Sequence, residues 1–317
     1  MNEKIGKKKL QYRADLMLLL VTLCWGISYY FVDLSLTDLE PFTLNAFRFL
    51  GAFIIATAFS WKKVKTVNVA TIKYSILVAV SLVIVYICAT YGVMYTTLSN
   101  SSFLCALTVI FTPILARIFL KEKADRKLIF VVTLCFIGIM LLTLKDDFSI
   151  NKENLKGDVL CMICAVAYAA DLLITEKAVS IEDVDAFQLG VFQLGFTGLF
   201  NLIVSVLIEK PHFPQTLEVW GYVGFLAIFC TGLAFIVQPI ALQYTSASHT
   251  GVIFALEPIF AAMVAVFLAG EILSAKSYVG AALMVSSIFI MEIDFKSLFG
   301  KFGKRTEEKP DESEMET

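Results

Sequence analysis

Long apolar segments alternate with short polar breaks along most of the chain. A helix needs about 20 largely apolar residues to cross the hydrocarbon core of a bilayer. Ten segments approach this length, and they are Asp15–Phe31, Phe42–Trp61, Ile72–Met94, Ser99–Leu120, Leu128–Leu144, Asp158–Ile174, Phe187–Ile208, Val219–Leu242, Ser248–Leu268 and Ser277–Met291. No ten-residue alternation typical of membrane strands is present, and open sheets leave backbone groups unpaired in lipid. The pattern therefore predicts an all-α membrane protein with ten transmembrane helices.

Composition supports a lipid environment and excludes several classes. Of the 317 residues, 58% are hydrophobic and 17% are charged, whereas soluble domains carry about a quarter charged residues. No basic, aromatic-interleaved stretch indicates nucleic-acid binding. All seven cysteines lie inside apolar segments, where a free thiol packs as a small hydrophobe. We therefore predict no cofactor and no metal site.

The distribution of Lys and Arg predicts the orientation, because cytoplasmic loops are enriched in both. Residues 1–14 form a basic start, and the loop between the first two segments has no positive residue. Both termini are predicted to be cytoplasmic, in a multi-pass protein of the cell membrane. Residues 145–156 then form an outer linker, and residues 293–317 a disordered cytoplasmic tail.

An internal repeat is the most informative feature of the sequence. When the chain is shifted by 149 residues, Tyr95–Glu122 aligns with Tyr244–Glu271 without a gap and nine positions are identical. The two halves, 15–144 and 157–292, would each contain five helices. An odd number of helices per half predicts an inverted repeat, which is typical of alternating-access transporters with a midplane site between the repeats. The Glu257–Pro258 pair aligns with Thr108–Val109, while the first-half proline is Pro113, so non-equivalent kinks are expected.

These segments resemble the EamA-type drug/metabolite transporter superfamily over residues 15–292. The residues that carry the resemblance are Leu23-Cys24-Trp25-Gly26, Phe47-Arg48-Phe49-Leu50, Tyr95-Thr96-Thr97-Leu98-Ser99-Asn100 running to Glu122, and Ala255-Leu256-Glu257-Pro258 running to Glu271. The resemblance implies two five-helix repeats and transport, with export favoured over import. It leaves the substrate open, because the superfamily carries amino acids, nucleotide sugars, amines and drugs.

Polar residues inside two equivalent segments predict a shared cavity. Glu257 and His249 lie in the ninth segment, and Thr108 and Asn100 occupy the equivalent positions of the fourth. Burial disfavours the ionised form of a carboxyl group, so Glu257 suits proton coupling or a cationic substrate. A structural role within the bundle remains open for Glu257, as does a membrane-interface position for His249.

Other intramembrane polar residues are further candidates for substrate binding, since such residues usually face a cavity or a partner. Arg48, with Asn45 one turn earlier and Gln193 as its counterpart, would bind an anionic substrate group or a carboxylate of the protein. Asp171 is the other embedded acid, with an interfacial position as the alternative. Trp25 and Gln238 complete the set.

The predicted function is secondary transport of a small polar metabolite, such as an amino acid or an amine, by a monomer or homodimer. The sequence has no H-E-x-x-H and no Walker A motif, so neither a zinc protease nor direct use of ATP is indicated. We predict that the chain is not an enzyme. A membrane-embedded enzyme or a channel without a recognisable motif is the alternative.

Overall fold

The computed structural model describes residues 2–96, 98–121, 126–143, 154–269 and 274–292. These residues form helices and short connections, with no strand among them. The helices are α1 (Asn2–Ser35), α2 (Pro41–Val64), α3 (Val69–Tyr95), α4 (Leu98–Ala106), α5 (Thr108–Leu115), α6 (Arg126–Thr143), α7 (Leu155–Val179), α8 (Ala186–Ile208), α9 (Leu217–Phe225), α10 (Ala234–Leu242), α11 (Ala247–Phe254), α12 (Glu257–Ala269) and α13 (Ala275–Glu292). Two π-helical segments, Ala116–Leu120 and Leu226–Leu233, continue α5 and join α9 to α10.

The helical membrane fold confirms the prediction from the apolar pattern. Within the described residues, eight helices are long and apolar enough to cross a bilayer. The apolar helix Ala275–Met291 is shorter, and it packs against α6. The exact number of ten spans therefore stays a prediction. Helix α1 starts at Asn2, well before the predicted start at Asp15. Most residues of the lysine-rich segment that precedes Asp15 are good helix formers, so the helix extends through it.

Local sequence signals explain where many of the helices begin. Pro41 stands at the first position of α2, where its missing N–H costs nothing. The side chains of Asn68, Asp185, Thr216 and Ser246 precede α3, α8, α9 and α11 and accept a hydrogen bond from a first-turn amide. Such N-caps satisfy donors that have no partner within the helix.

The packing of the helices follows the two repeats. Helix α2 packs against its counterpart α8, and α6 against its counterpart α13. Helix α3 packs against α7, just as the unit formed by α9 and α10 packs against α1. Likewise α4 and α5 contact α7, while α11 and α12 contact α1. Exchanging the two halves therefore reproduces the same set of contacts, as expected for five-helix repeats related by a pseudo-two-fold axis.

Both halves contain a helix that is interrupted at the same place. The break between α4 and α5 falls at Leu107, and that between α11 and α12 falls at Ala255 and Leu256. The amide of Leu107 donates to Leu104 O (3.2 Å), and that of Leu256 to Ile253 O (3.1 Å). Leu256 is the repeat equivalent of Leu107, so the expectation of non-equivalent kinks is wrong.

The expectation rested on the different positions of the prolines in the two halves. A helix can, however, break wherever another group competes for its backbone carbonyls. The Thr108 hydroxyl donates to Cys105 O at 2.8 Å, a local bond that competes with helical pairing. In the second half Pro258 has no N–H to donate. Equivalent breaks therefore occur beside different residues, a threonine in the first half and a proline in the second.

Candidate functional site

A cavity lies between the two halves and takes residues from both. Its empty volume is about 680 Å³, part of which is open to the outside of the bundle. Its wall is formed by Trp25, Ser28, Tyr29, Val32, Arg48, Val85, Tyr86, Ala89, Thr90, Val93, Cys105, Thr108, Cys164, Tyr168, Phe235 and Glu257. The first half supplies the residues up to Thr108, and the second half supplies the other four. The site therefore sits at the repeat interface, where the inverted repeat places it.

The cavity extends toward one end of the bundle. Its residues on α1 run from Trp25 to Val32 and those on α3 from Val85 to Val93, in the C-terminal part of both helices. Arg48 lies in the first two turns of α2. All three stretches approach the end of the bundle where α1 ends and α2 begins, which we call the α1–α2 end. The cavity therefore extends toward that end from the level of the two broken helices.

Thr108 and Glu257 line the cavity directly after the two breaks. Each is the first residue of its helix, α5 or α12, so both side chains lie at a helix N-terminus at the level of the cavity. The positive end of a helix dipole favours a negative charge or an acceptor there. These two positions, which the repeat makes equivalent, line the same cavity.

Glu257 contributes a carboxyl group to the cavity wall, and the wall residue Tyr29 of α1 lies close to it. Glu257 is only partly buried. An acid in this position is accessible to a ligand or a proton.

Arg48 is the cationic residue of the cavity wall. Its Nε donates to Thr231 Oγ1 at 2.8 Å, and Thr231 lies in the π-helical segment Leu226–Leu233. The guanidinium carbon lies 4.9 Å from the centre of the Tyr86 ring, within the range of a cation–π contact. Nη2 is buried and has no hydrogen-bond partner among the described residues. The guanidinium is therefore oriented by its neighbours but incompletely paired.

Trp25 forms an aromatic wall that the same π-helical segment holds in place. The indole Nε1 donates to Cys230 O at 2.9 Å. Its ring contacts Tyr168, Phe235 and Phe254, with centroids 5.6, 5.5 and 4.8 Å away. π-helical turns are frequent at functional sites, and this one fixes both Trp25 and, through Thr231, Arg48.

Asn45 and Thr108 form hydrogen bonds at the cavity wall. Asn45 is fully buried and donates to Thr90 Oγ1 at 3.1 Å. The Thr108 hydroxyl, besides its local bond, lies 3.2 Å from Ala165 O of α7. Asn45 thus stands behind the cavity-lining Thr90, while Thr108 ties α5 to the second half.

Asp171 and Gln238 lie together beyond the cavity wall. Asp171 is fully buried and accepts from Ser81 Oγ at 2.5 Å and from Gln238 Nε2 at 3.5 Å. The Tyr168 hydroxyl donates to Gln238 Oε1 at 2.9 Å. This chain links the cavity-lining Tyr168 to a buried acid, so both candidates reach the site through Tyr168. Asp171 does not extend to the protein surface as an interfacial acid would, because its side chain has no solvent-accessible surface.

Gln193 lies away from the cavity and has a structural partner. Its Nε2 donates to Phe235 O at 2.6 Å. That carbonyl has no helical partner four residues later, because the residue there is Pro239, which lacks an N–H. Although Gln193 is the repeat counterpart of Arg48, its amide satisfies a carbonyl that a proline has left free.

His249 also lies outside the cavity wall, at the end of the bundle opposite the α1–α2 end. Its Nε2 is 3.1 Å from Oδ1 of Asp15 near the start of α1, and both side chains are largely buried. The contact joins α11 to α1. The side chain of Asn100, its repeat counterpart, lies outside the described residues.

Several residues of the wall were not predicted from the sequence. Tyr29, Tyr86 and Phe235 are aromatic residues in apolar segments, and nothing in their spacing separates them from core residues. Ser28 and Thr90 are small polar residues of the kind that also joins helices. The turn-spacing of Trp25, Ser28, Tyr29 and Val32 along one helix face is a signal that could have identified the α1 side of the wall.

Comparisons with known proteins agree with this architecture. The model of the EamA-like transporter family matches residues 12–144 and again residues 155–293. A protein of Archaeoglobus fulgidus described as an uncharacterized transporter is 26% identical over 290 residues, covering 91% of this chain and 88% of its own length. The uncharacterized transporter YetK of Bacillus subtilis is 29% identical over 216 residues, or 66% of this chain and 64% of its own.

A solved structure shows the same fold. A protein crystal structure superposes with a TM-score of 0.72 over 93% of this chain and 99% of its own, at 16% sequence identity. Because the identity is so low, this likeness concerns the fold alone. The family model covers both halves of the sequence, and the chain belongs to the EamA-like transporter family.

Proposed function

We propose that this member of the EamA-like transporter family is a secondary transporter that moves a small polar metabolite, such as an amino acid or an amine, across the cytoplasmic membrane. The observation that carries the proposal is the cavity between the repeats, to which the first half contributes Arg48 and the second half contributes Glu257. Discontinuous helices at a repeat interface are the arrangement by which many secondary transporters bind a solute near the midplane.

The position of the cavity supports alternating access. The cavity extends toward the α1–α2 end. Beyond it, toward the opposite end, polar contacts join helices of the two halves, namely Ser81 to Asp171 and Asp15 to His249, while at the α1–α2 end Glu209 joins α8 to the start of α2 beside the cavity. Rocking one repeat against the other would break the contacts toward the opposite end and would close the cavity at the α1–α2 end.

Glu257 supports proton coupling. Its carboxyl group lines the cavity and is only partly buried, so both a proton and a ligand can reach it. A proton on Glu257 would therefore compete with a cationic group of the substrate in the same cavity. The binding of one would then release the other, which couples the two movements.

The arrangement of basic residues supports a cytoplasmic location of both termini and insertion in the cell membrane. With that orientation the α1–α2 end faces the outside, so the cavity extends toward the exterior. Export would then end in this state, with the solute leaving toward the α1–α2 end.

The test is counterflow of labelled L-phenylalanine, L-leucine, phenethylamine and isoamylamine into proteoliposomes at several pH values. We expect saturable counterflow of at least one solute, and we expect Glu257→Gln to abolish its pH dependence. Glu218→Gln is the matched control, because Glu218 is exposed at the start of α9. Full transport with an unchanged pH profile in Glu257→Gln would remove Glu257 from the mechanism. Non-saturable flux would indicate a channel.

A further inference from the structure

Arg48 carries a buried charge that the protein leaves incompletely paired. The residue is 2% exposed, and Nε is the nitrogen with a hydrogen-bond partner, the neutral hydroxyl of Thr231. Nη2 has none. In the described part of the chain, the ion pairs are Lys63 with Asp185 and His249 with Asp15, so no carboxylate there pairs with Arg48.

A buried guanidinium of this kind needs an explanation. Buried charges are normally paired, because an unpaired one is strongly disfavoured in a low-dielectric environment. The rings of Tyr86 and Phe49, at 4.9 and 5.8 Å, stabilise a cation but supply no acceptor. An unsatisfied buried group in a native protein calls for an explanation, such as a functional role or a bound water or ion. Arg48 also lines the cavity, so its guanidinium borders the space that a ligand would occupy.

The repeat shows that the charge is specific to one half. The counterpart Gln193 satisfies the carbonyl of Phe235 at 2.6 Å and lies away from the cavity wall. The cavity therefore has a cationic side on α2 only, with the acid Glu257 contributed by α12. An asymmetric pair of charges binds an asymmetric solute in one orientation.

From these observations we infer that the transported solute carries a carboxylate group that binds Arg48, and that simple amines without an acidic group are not substrates. This inference rests on the proposed function and narrows it. A single guanidinium neutralises one negative charge and matches a carboxylate in a bidentate geometry. The aromatic walls formed by Trp25, Tyr86 and Phe235 favour a solute whose remaining part is apolar or aromatic.

The inference is tested by binding of matched pairs that differ in the carboxylate alone. The pairs are L-phenylalanine and phenethylamine, L-tryptophan and tryptamine, L-leucine and isoamylamine, and L-lysine and cadaverine. Thermal shift and calorimetric titration are measured on the purified full-length protein in nanodiscs. We expect at least one acid to stabilise the protein and to bind at least about tenfold more tightly than its amine, since removing one partner of a buried charge pair is costly.

Variants of Arg48 provide the second arm. Arg48→Gln should remove the preference for the acid, while Arg48→Lys should keep part of it as a point charge without the bidentate geometry. Arg117→Gln is the matched control, because Arg117 is exposed on the π-helical segment Ala116–Leu120. Since Arg48→Gln removes an unpaired charge, the variant should remain folded, and its melting temperature without ligand checks this.

The outcomes separate this inference from the proposed function. If no acid of the four pairs binds, if an amine binds as tightly as its acid, or if Arg48→Gln keeps the preference, the inference is overturned. Counterflow of an amine by the Arg48→Gln variant would show that the protein is a transporter even for a solute that has no carboxylate. Binding of an acid that depends on Arg48, but without counterflow in proteoliposomes, would support the inference and contradict the transport mechanism.

Discussion

Leu107 and Leu256 interrupt their helices at equivalent positions of the two repeats, 149 residues apart in the chain. In each repeat the amide three residues after the break donates a hydrogen bond to the carbonyl at the break. Ile110 N donates to Leu107 O and Ile259 N to Leu256 O, both at 2.9 Å. The interruption is thus a feature that both repeats share. It brings Thr108 and Glu257, the first residues of the following helices, to the cavity.

If both repeats share the break whatever residue lies beside it, Pro258 is not required for the break in the second half. We expect Pro258→Ala to keep the interrupted helix and to transport at a rate close to wild type, because the first half breaks without a proline at that position. Counterflow and a structure of the variant in nanodiscs would check this. A continuous helix through Leu256, together with a loss of transport, would show that the proline itself maintains the break.

The hydrogen bond from Gln193 to Phe235 O should stabilise the protein, because Pro239 leaves that carbonyl without a helical partner. Gln193→Leu leaves a buried carbonyl unsatisfied, which costs about 1–3 kcal/mol. In a Pro239→Ala background the new amide at position 239 can pair with Phe235 O, so the same substitution should cost less. Unfolding of the four proteins of this double-mutant cycle measures the difference. Equal costs in the two backgrounds would contradict this explanation.

Close contact between α1 and α12 depends on Gly26. A Cβ atom at Gly26 would lie 2.4 Å from Phe260 Cβ and 2.9 Å from the backbone nitrogen of Ala261, so the backbones would have to separate. Gly26→Ala should destabilise the protein by about 1–3 kcal/mol, as is typical of overpacking. Gly224→Ala is the matched control, since a Cβ there meets nothing within 4 Å. A glycine-to-alanine change in an open helical position should be neutral or stabilising by about 0.5–1 kcal/mol. Similar melting temperatures for both variants would refute the close packing.

The Thr231 hydroxyl should position Arg48 for the ligand. Thr231→Val keeps the shape of the side chain but removes the acceptor for Nε. Hydrogen bonds to charged groups contribute about 1.5–3 kcal/mol, so binding of a carboxylate-bearing solute should weaken by about tenfold or more. Thr250→Val is the control, because the buried Thr250 hydroxyl has no hydrogen-bond partner in the described part of the chain, and its loss should leave binding unchanged. Titration of both variants with the best-binding acid of the four pairs decides the point.

The contact between Asp15 and His249 should couple α1 to α11. A double-mutant cycle of Asp15→Ala and His249→Ala should give an interaction energy of about 0.5–3 kcal/mol, as for residues in direct contact. Single variants should also shift the protein away from the state whose cavity extends toward the α1–α2 end. Unfolding and accessibility of Trp25 to an aqueous quencher measure these two effects. Additive changes would show that the pair stabilises nothing.

Much of this architecture could be predicted from the sequence. The alternation of apolar segments with polar breaks predicted membrane helices, because every backbone group in lipid must be paired within its own segment. The repeat predicted two related halves and an interface between them. It also predicted that Thr108 and Glu257 are equivalent, and both line the same cavity.

The remainder depended on contacts between distant parts of the chain. The sequence marks Arg48, Gln193, Asp171 and His249 alike as polar residues in apolar helices. Their partners are Thr231, Phe235, Ser81 and Asp15, each on a helix far away in sequence. Only the tertiary structure distinguishes a polar group satisfied by the protein from one at the cavity wall. Likewise, it selects Tyr29 and Tyr86 among many aromatic residues. The apolar pattern and the repeat depend on local periodicity, which a sequence carries by itself. Whether a buried polar group is paired depends on which helices meet, and packing alone decides that.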